Sequence, residues 1–311
     1  MPPQMAEKEP HLSLQRIPTL RNPVLVMAFE GWNDSGEAAT TAAQLLVSDW
    51  DGSRFASIDP EEFFVYTETR PHVRLNRRGR RRIEWPSNEF YACVNPSVEE
   101  NARDLIVLLG TEPDLKWRTF SDIVLDVARR AGVQLIVGLG ALDADVPHTM
   151  PPVISGTVSN PELHPLLKGL GLKQSKYEGP TGIVGVLSSR FAAAGYPALS
   201  LWGHSPHYIS ASPNPVVAAR IVHEFSKVLQ VSLDVAQLDE NAARFDEQVR
   251  EAVSKDPEAM AYVRDLERRA QEDGETEDEP RSSGGDLPNA AAMVDFLEDF
   301  LRKQRKDPPS G

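Results

Sequence analysis

Along the first 230 residues, short apolar runs alternate with segments of helical period. Pro23 to Phe29 (PVLVMAF), Asp104 to Gly110 (DLIVLLG) and Val133 to Gly140 (VQLIVGLG) have the length and composition of strands buried on both faces. The last two flank the helical stretch FSDIVLDVARRAG, which is the βαβ pattern of a parallel sheet covered on both sides. An Ala-rich helix is predicted after the first run. Aromatic and β-branched content predicts further strands at Glu61 to Thr67 (EEFFVYT) and Glu89 to Val94 (EFYACV). The alternating arms of HVRLNRRGRRRIEW, turning at Arg78-Gly79, predict a hairpin with EFYACV beside it. Ala141 to Asn160 carries three prolines and little periodicity, so a long loop over the sheet is expected. GPTGIVGVLSSRFAAAG leads through glycines into a helix, and PALSLWGHSPHY is a final apolar strand. Pro215 then opens a helix in the first-turn position that suits proline.

Beyond Ser232 the pattern changes. Val235, Leu238, Ala242, Phe245 and Val249 recur at spacings of three and four, the stripe of an amphipathic helix. Asp256-Pro257 restarts the chain as cap and first helical residue, giving a helical hairpin. Glu272 to Asp286 is acidic, rich in Gly and Ser and nearly without apolar residues, so it is expected to be a tether. Ala292, Met293, Phe296, Leu297, Phe300 and Leu301 line one face of a short terminal helix. The expected organisation is a disordered segment over 1–20, an α/β domain over 21–231 and a helical hairpin over 232–270. A flexible acidic linker over 271–288 and an amphipathic helix over 289–306 complete it.

The chain has 311 residues, 41% of them hydrophobic, enough for a full core without disulfide staples. A formal net charge of −13 disfavours nucleic acid and anionic membrane as partners of the whole surface. The single cysteine, Cys93, excludes an internal disulfide framework and suits a reducing compartment; its neighbours mark a buried strand position. MPPQMAEKEPHLSL lacks the basic and apolar regions of a signal peptide, and no apolar run approaches the ~20 residues of a membrane span. A cytoplasmic protein that does not engage membranes is expected. Against the acidic background, seven arginines and no acidic residue lie between Arg70 and Arg82. Arg77, Arg78 and Arg80 at the hairpin tip are candidates for contacting an anionic or acidic partner, although a solvated tip explains them equally.

Candidate chemistry concentrates at FEGWNDSGEAA, where a strand hands over to a helix, a place where open α/β sheets tend to bind ligands. Asp34 and Glu37 also fit a capping box, while Gly31 and Asn33 suit the backbone of a turn. Capping leaves Glu30 and Trp32 unexplained. Gly31 and Gly36 have the spacing of a P-loop, but Glu37-Ala38 replaces its Lys and hydroxyl residue. Gly138-Leu139-Gly140 lacks a third dinucleotide-binding glycine, and Pro206 spoils a nucleophile elbow at Gly203-His204-Ser205. His204 and His207 lack accompanying metal ligands, and His148 and His164 have structural explanations. No metal and no cofactor are expected.

PVLVMAFEGWNDSGEAATTAAQLL, GLGALDADVPHT, YEGPTGIVGVL and LWGHSPHYISASPNPVVAARIV together resemble the proteasome assembly chaperone 2 (PAC2) superfamily in its bacterial branch, over roughly residues 20 to 230. Phe29 to Asp34 is the most specific part, followed by Pro206-His207-Tyr208 with Pro215. The resemblance implies a three-layer, Rossmann-like α/β fold similar to phosphorylases and hydrolases, with helices on both faces of a mixed sheet, here with a helical C-terminal extension. It also implies oligomers, with a trimer expected here, and assistance to proteasome assembly through protein contacts. Members can end in a hydrophobic residue, tyrosine and any residue that dock in proteasome pockets; Asp307-Pro308-Pro309-Ser310-Gly311 lacks that tyrosine, so this route is not the expected one. Two functions stay open. In one, a non-catalytic assembly or scaffold factor, possibly proteasome-related, uses the arginine hairpin, the loop from Ala141 and the terminal helix with Phe296 and Phe300. In the other, a hydrolase or phosphorylase-like enzyme uses a pocket of Glu30, Gly31, Trp32, Asn33 and Asp34 with Asp143, in which Glu30, Asp34 or His204 supplies the catalytic group.

Overall fold

The computed structural model describes residues 8–274 other than Arg77, Leu170 and Lys176. Arg77, Phe296, Phe300 and the expected terminal helix therefore lie outside the described residues, as does most of the expected linker. In chain order the strands and helices are β1 (Lys8–Glu9), β2 (Leu12–Leu14), β3 (Val24–Glu30), α1 (Ala38–Asp49), β4 (Ser53–Ile58), β5 (His72–Leu75), β6 (Arg81–Glu84), β7 (Asn88–Cys93) and β8 (Leu105–Thr111). They continue with α2 (Trp117–Arg130), β9 (Leu135–Ala144), β10 (Ile154–Val158), α3 (His164–Gly169), β11 (Lys173–Gln174), α4 (Ile183–Ala193), β12 (Ala198–Pro206), α5 (Pro215–Leu229), α6 (Ala236–Ser254) and α7 (Pro257–Gly274).

Ten strands form one mixed sheet in the order β1-β2-β4-β7-β8-β3-β9-β12-β10-β11. Its centre, β8-β3-β9-β12, is parallel. Alternation along β3 sends Val24, Val26 and Ala28 to one face and Leu25, Met27 and Phe29 to the other. The first face is covered by α1 and α5, the second by α2 and α4. This is the three-layer mixed α/β arrangement expected from the apolar runs. A third cluster, built around Tyr208, Phe245, Val249 and Leu266, attaches α6 and α7 to the loop after β12.

Four sequence expectations are corrected. Glu61 to Thr67 is not a strand: Asp59 caps a short 3-10 turn over Pro60–Glu62, and the aromatic residues owe their place to burial of Phe63 and Phe64, Phe63 edge-on to Phe120. The strand in that region is β4, six residues long, whose polar start and irregular alternation gave little periodic signal. β7 pairs with β4 and β8 inside the main sheet rather than beside the hairpin. Within 141–160, β9 continues to Ala144 and β10 pairs antiparallel with β12, so the loop is shorter than its prolines suggested. Finally, the segment 1–20 is not wholly disordered, because β2 buries Leu12 and Leu14 and pairs with β4.

The hairpin β5-β6 is a separate two-stranded sheet. Its register puts Val73 opposite Ile83 and Leu75 opposite Arg81 on one face, with His72, Arg74, Arg82 and Glu84 on the other. All eight strand residues are exposed. Trp85 at its base meets Tyr66 edge-on, with ring centroids 4.8 Å apart.

Candidate functional site

The turn after β3 sits at the carboxyl end of the central strands. Gly31 takes φ 115°, and Gly36 and Glu37 follow with φ 59° and 50°. These left-handed residues wind a 3-10 turn before α1 begins. The turn is held against β9 by Ala141 N–H donating to the Asn33 carbonyl (2.8 Å). Ser35 Oγ donates to Asp143, and the Asn214 N–H donates to the Gly36 carbonyl (2.7 Å).

Asp34 is buried and does cap α1, though not as a capping box: Oδ1 accepts from Ala39 N–H (2.7 Å) and Thr40 N–H (3.2 Å), while Thr40 Oγ1 donates to Oδ2. The two left-handed residues displace the helix start, so the carboxylate reaches the second and third helical N–H groups and Glu37 stays exposed. Burial raises the Asp34 pKa to about 6 against the opposing effect of these hydrogen bonds. Since the folded-state value lies above the unfolded one, near ~3.9, the stability associated with this group is complete below about pH 4 and lost as pH rises through about 6. The loss is about 2–3 kcal/mol. Asp34→Asn, which keeps an acceptor for the N–H groups, should flatten the melting temperature across this window. An unchanged pH profile by calorimetry would place the titration elsewhere.

Asn33 is fully buried and donates through Nδ2 to Glu112 Oε1 (2.7 Å), which also accepts from Ile183 N–H (2.7 Å) at the start of α4. A carboxylate there complements the helix N-terminus. Gly182 is required for this contact, because a Cβ would stand 2.2 Å from Asn33 Oδ1. Sequence reading missed Glu112, Gly182, Thr40 and Asn214. The available signal was the GTEPD that follows β8 as EGWND follows β3, placing an acid at the same end of the neighbouring strand.

Glu30 points outward and accepts from Thr111 Oγ1 (3.2 Å). Trp32 is 63% exposed. The turn therefore brings together Asn33, Asp34, Ser35, Asp143 and Glu112. His204 lies two strands away on β12, buried, with Nε2 2.9 Å from Ser155 Oγ. Arg78 and Arg80 sit at the exposed hairpin tip, where both backbone N–H groups donate to Asn76 Oδ1. Burial pushes the Cys93 thiol up to about 12, so it is not a nucleophile at neutral pH.

Neither of the two principal cavities includes the turn. One, of about 290 Å³, lies between the β9-β10 connection, the end of β12, α5, α6 and α7. The other is lined by Pro10 to Leu12 and α2. Among the described residues no group of three or more His, Cys, Asp or Glu could hold a metal ion, and no helix is long and apolar enough to cross a membrane.

A mixed sheet covered by helices on both faces, with its carboxyl-end turn tied down by capping and cross-strand bonds, defines a three-layer α/β protein. The chain belongs to the PAC2 family, whose pattern it matches over residues 28–253. It is similar to a Streptomyces avermitilis PAC2 family protein, with 39% identity, 78% of this chain and 99% of that one covered, and a TM-score of 0.69. It is likewise similar to a Mycobacterium tuberculosis proteasome-assembly chaperone homologue, at 37% identity, 77% and 99% coverage and a TM-score of 0.69. A Pyrococcus furiosus archaeal proteasome activator shares the fold at 21% identity, 77% and 97% coverage and a TM-score of 0.62. No curated protein matches.

Proposed function

We propose that this protein is a non-catalytic, protein-binding assembly or scaffold factor, related to proteasome assembly, that works in the cytoplasm as a homo-oligomer. The observation that carries the reading is the β5-β6 hairpin. An isolated two-stranded hairpin is marginal in water, and exposed apolar residues collected on one face mark a contact surface. Here Val73, Leu75 and Ile83 share that face with Arg81, and Arg78 and Arg80 stand at the tip. The rest of the chain is acidic: with six of the 33 basic residues and one of the 46 acidic ones in the hairpin, His72 to Glu84, 27 basic residues remain against 45 acidic ones. An acidic partner surface would be attracted to the arm and repelled by the body. Similarity to a proteasome-assembly chaperone homologue is the reason for naming proteasome subunits as the partner class.

The enzymatic alternative draws less support. Both Asp34 oxygens are engaged by α1, and Glu30 faces solvent rather than a concavity. The deciding experiment is a native mass spectrum of the protein purified from its own host. A trimer with a stoichiometric second protein is the expected result; self-association alone would count against the assembly role.

A further inference from the structure

We propose that the cavity between the sheet and the α6-α7 pair is a binding site for a small, largely apolar molecule that is uncharged or carries positive charge. The proposal goes beyond the assembly role and does not depend on it. Four features support it together.

Position is the first. The cavity opens at the carboxyl ends of β9 and β12 and at a boundary between two packed units, both of which are preferred places for ligands. Its volume of about 290 Å³ is at the lower end of small-molecule sites.

The second is rigidity. Pro147, Pro151, Pro152 and Pro206 stand in its walls, and their fixed φ angles leave little freedom to lose on binding. Polar bonds fasten the helices that close it. His207 joins Asp145 (Nδ1, 3.2 Å) to the Tyr262 hydroxyl (Nε2, 3.0 Å), and Thr149 donates to Glu267.

The third is an apolar lining, to which Val146, Met150, Ile209, Val216, Phe245 and Val249 contribute. A recess walled by such side chains favours an apolar guest.

The fourth is charge. Asp145 and Asp246 line the cavity and no Lys or Arg does, among the described residues. Glu267 acts on the adjoining His148 as well, while Arg250 pairs with Asp246 and offsets one of these carboxylates. His148 adds no positive charge, because burial pushes its pKa down to about 4. The Tyr208 hydroxyl accepts from the His148 backbone N–H (2.7 Å) and lies 2.8 Å from Nδ1, which holds the ring in place. An anionic guest would meet the Asp145 carboxylate with no Lys or Arg in the lining to pair with.

A matched pair of fluorescent probes tests this on the full chain. N-phenyl-1-naphthylamine is uncharged, and 8-anilinonaphthalene-1-sulfonate has the same ring skeleton with an added sulfonate. The neutral probe should bind saturably at one site per chain, at least about tenfold more tightly than the sulfonate. Val216→Phe and Ala270→Phe fill the cavity from opposite walls at half-buried positions, and each should weaken the neutral probe about tenfold or more at unchanged melting temperature. Asp145→Asn with Asp246→Asn should narrow the gap between the probes. Absence of saturable binding, equal affinity for the two probes, or full binding by both correctly folded Phe variants would overturn the proposal.

Discussion

Val73→Ser combined with Ile83→Ser should remove the hairpin's partner from the native mass spectrum while leaving the melting temperature of the chain within a degree or two. The pair is directly opposite across β5-β6, and both side chains are more than half exposed, so folding draws little on them. If they are the centre of an interface, each costs about 2 kcal/mol or more when truncated, and even one such loss is about 30-fold in affinity. The charged rim should behave differently. Arg78→Glu with Arg80→Glu is expected to slow association and weaken its salt dependence, with a smaller effect on dissociation. A partner still retained at full stoichiometry by the Val73/Ile83 variant would move the interface away from the arm, to a surface such as that around Trp32.

The largest effect on folding is expected at Asp104. This carboxylate is 2% exposed at the start of β8 and accepts from Arg21 N–H (2.7 Å), Arg21 Nη2 (2.9 Å) and Asn95 N–H (2.9 Å). Arg21 extends the knot by donating to the carbonyls of Ser97 and Asn95. The segment at Arg21, distant in sequence, and the connection from β7 to β8 meet on one acid. Asp104→Ala strands two backbone N–H groups and an arginine, which costs about 3 kcal/mol here because Arg21 is itself partly hydrated. In a chain of this size the melting temperature should fall by about 6–12 °C, with a matching drop in the urea midpoint. Asp104→Asn, which keeps an acceptor, should lose about half as much. A drop under about 2 °C for the alanine variant would show the knot to be ornamental.

The four parallel strands were legible because burial on both faces writes a continuous apolar run, a signal local in sequence. β4 and β10 were not, since each takes its place from a neighbouring strand: β10 is fixed by pairing with β12, and SRFASI carries no pattern that sets it apart. Gly138 and Gly140 were taken to end β9, yet the strand runs on. Gly140 is small because the Trp202 ring lies over it, where a Cβ would come within 2.4 Å. At the turn, the capping role of Asp34 was readable from residue type. Its displaced register depends on the backbone of Gly36 and Glu37, which composition does not fix. Glu112 was missed for a different reason: it is 79 residues from Asn33 and 71 from Ile183, and the β3-β8 pairing is what sets it beside Asn33.

Among the described residues, each margin of the ten-stranded sheet is a strand of two residues, Lys8–Glu9 on one side and Lys173–Gln174 on the other. Such stubby, hydrophilic borders offer too few free N–H and C=O groups to recruit a foreign strand. The platform is thereby protected from runaway stacking into fibres. Any contact of this chain with a copy of itself or with a client would then form through side-chain relief rather than by lengthening the sheet.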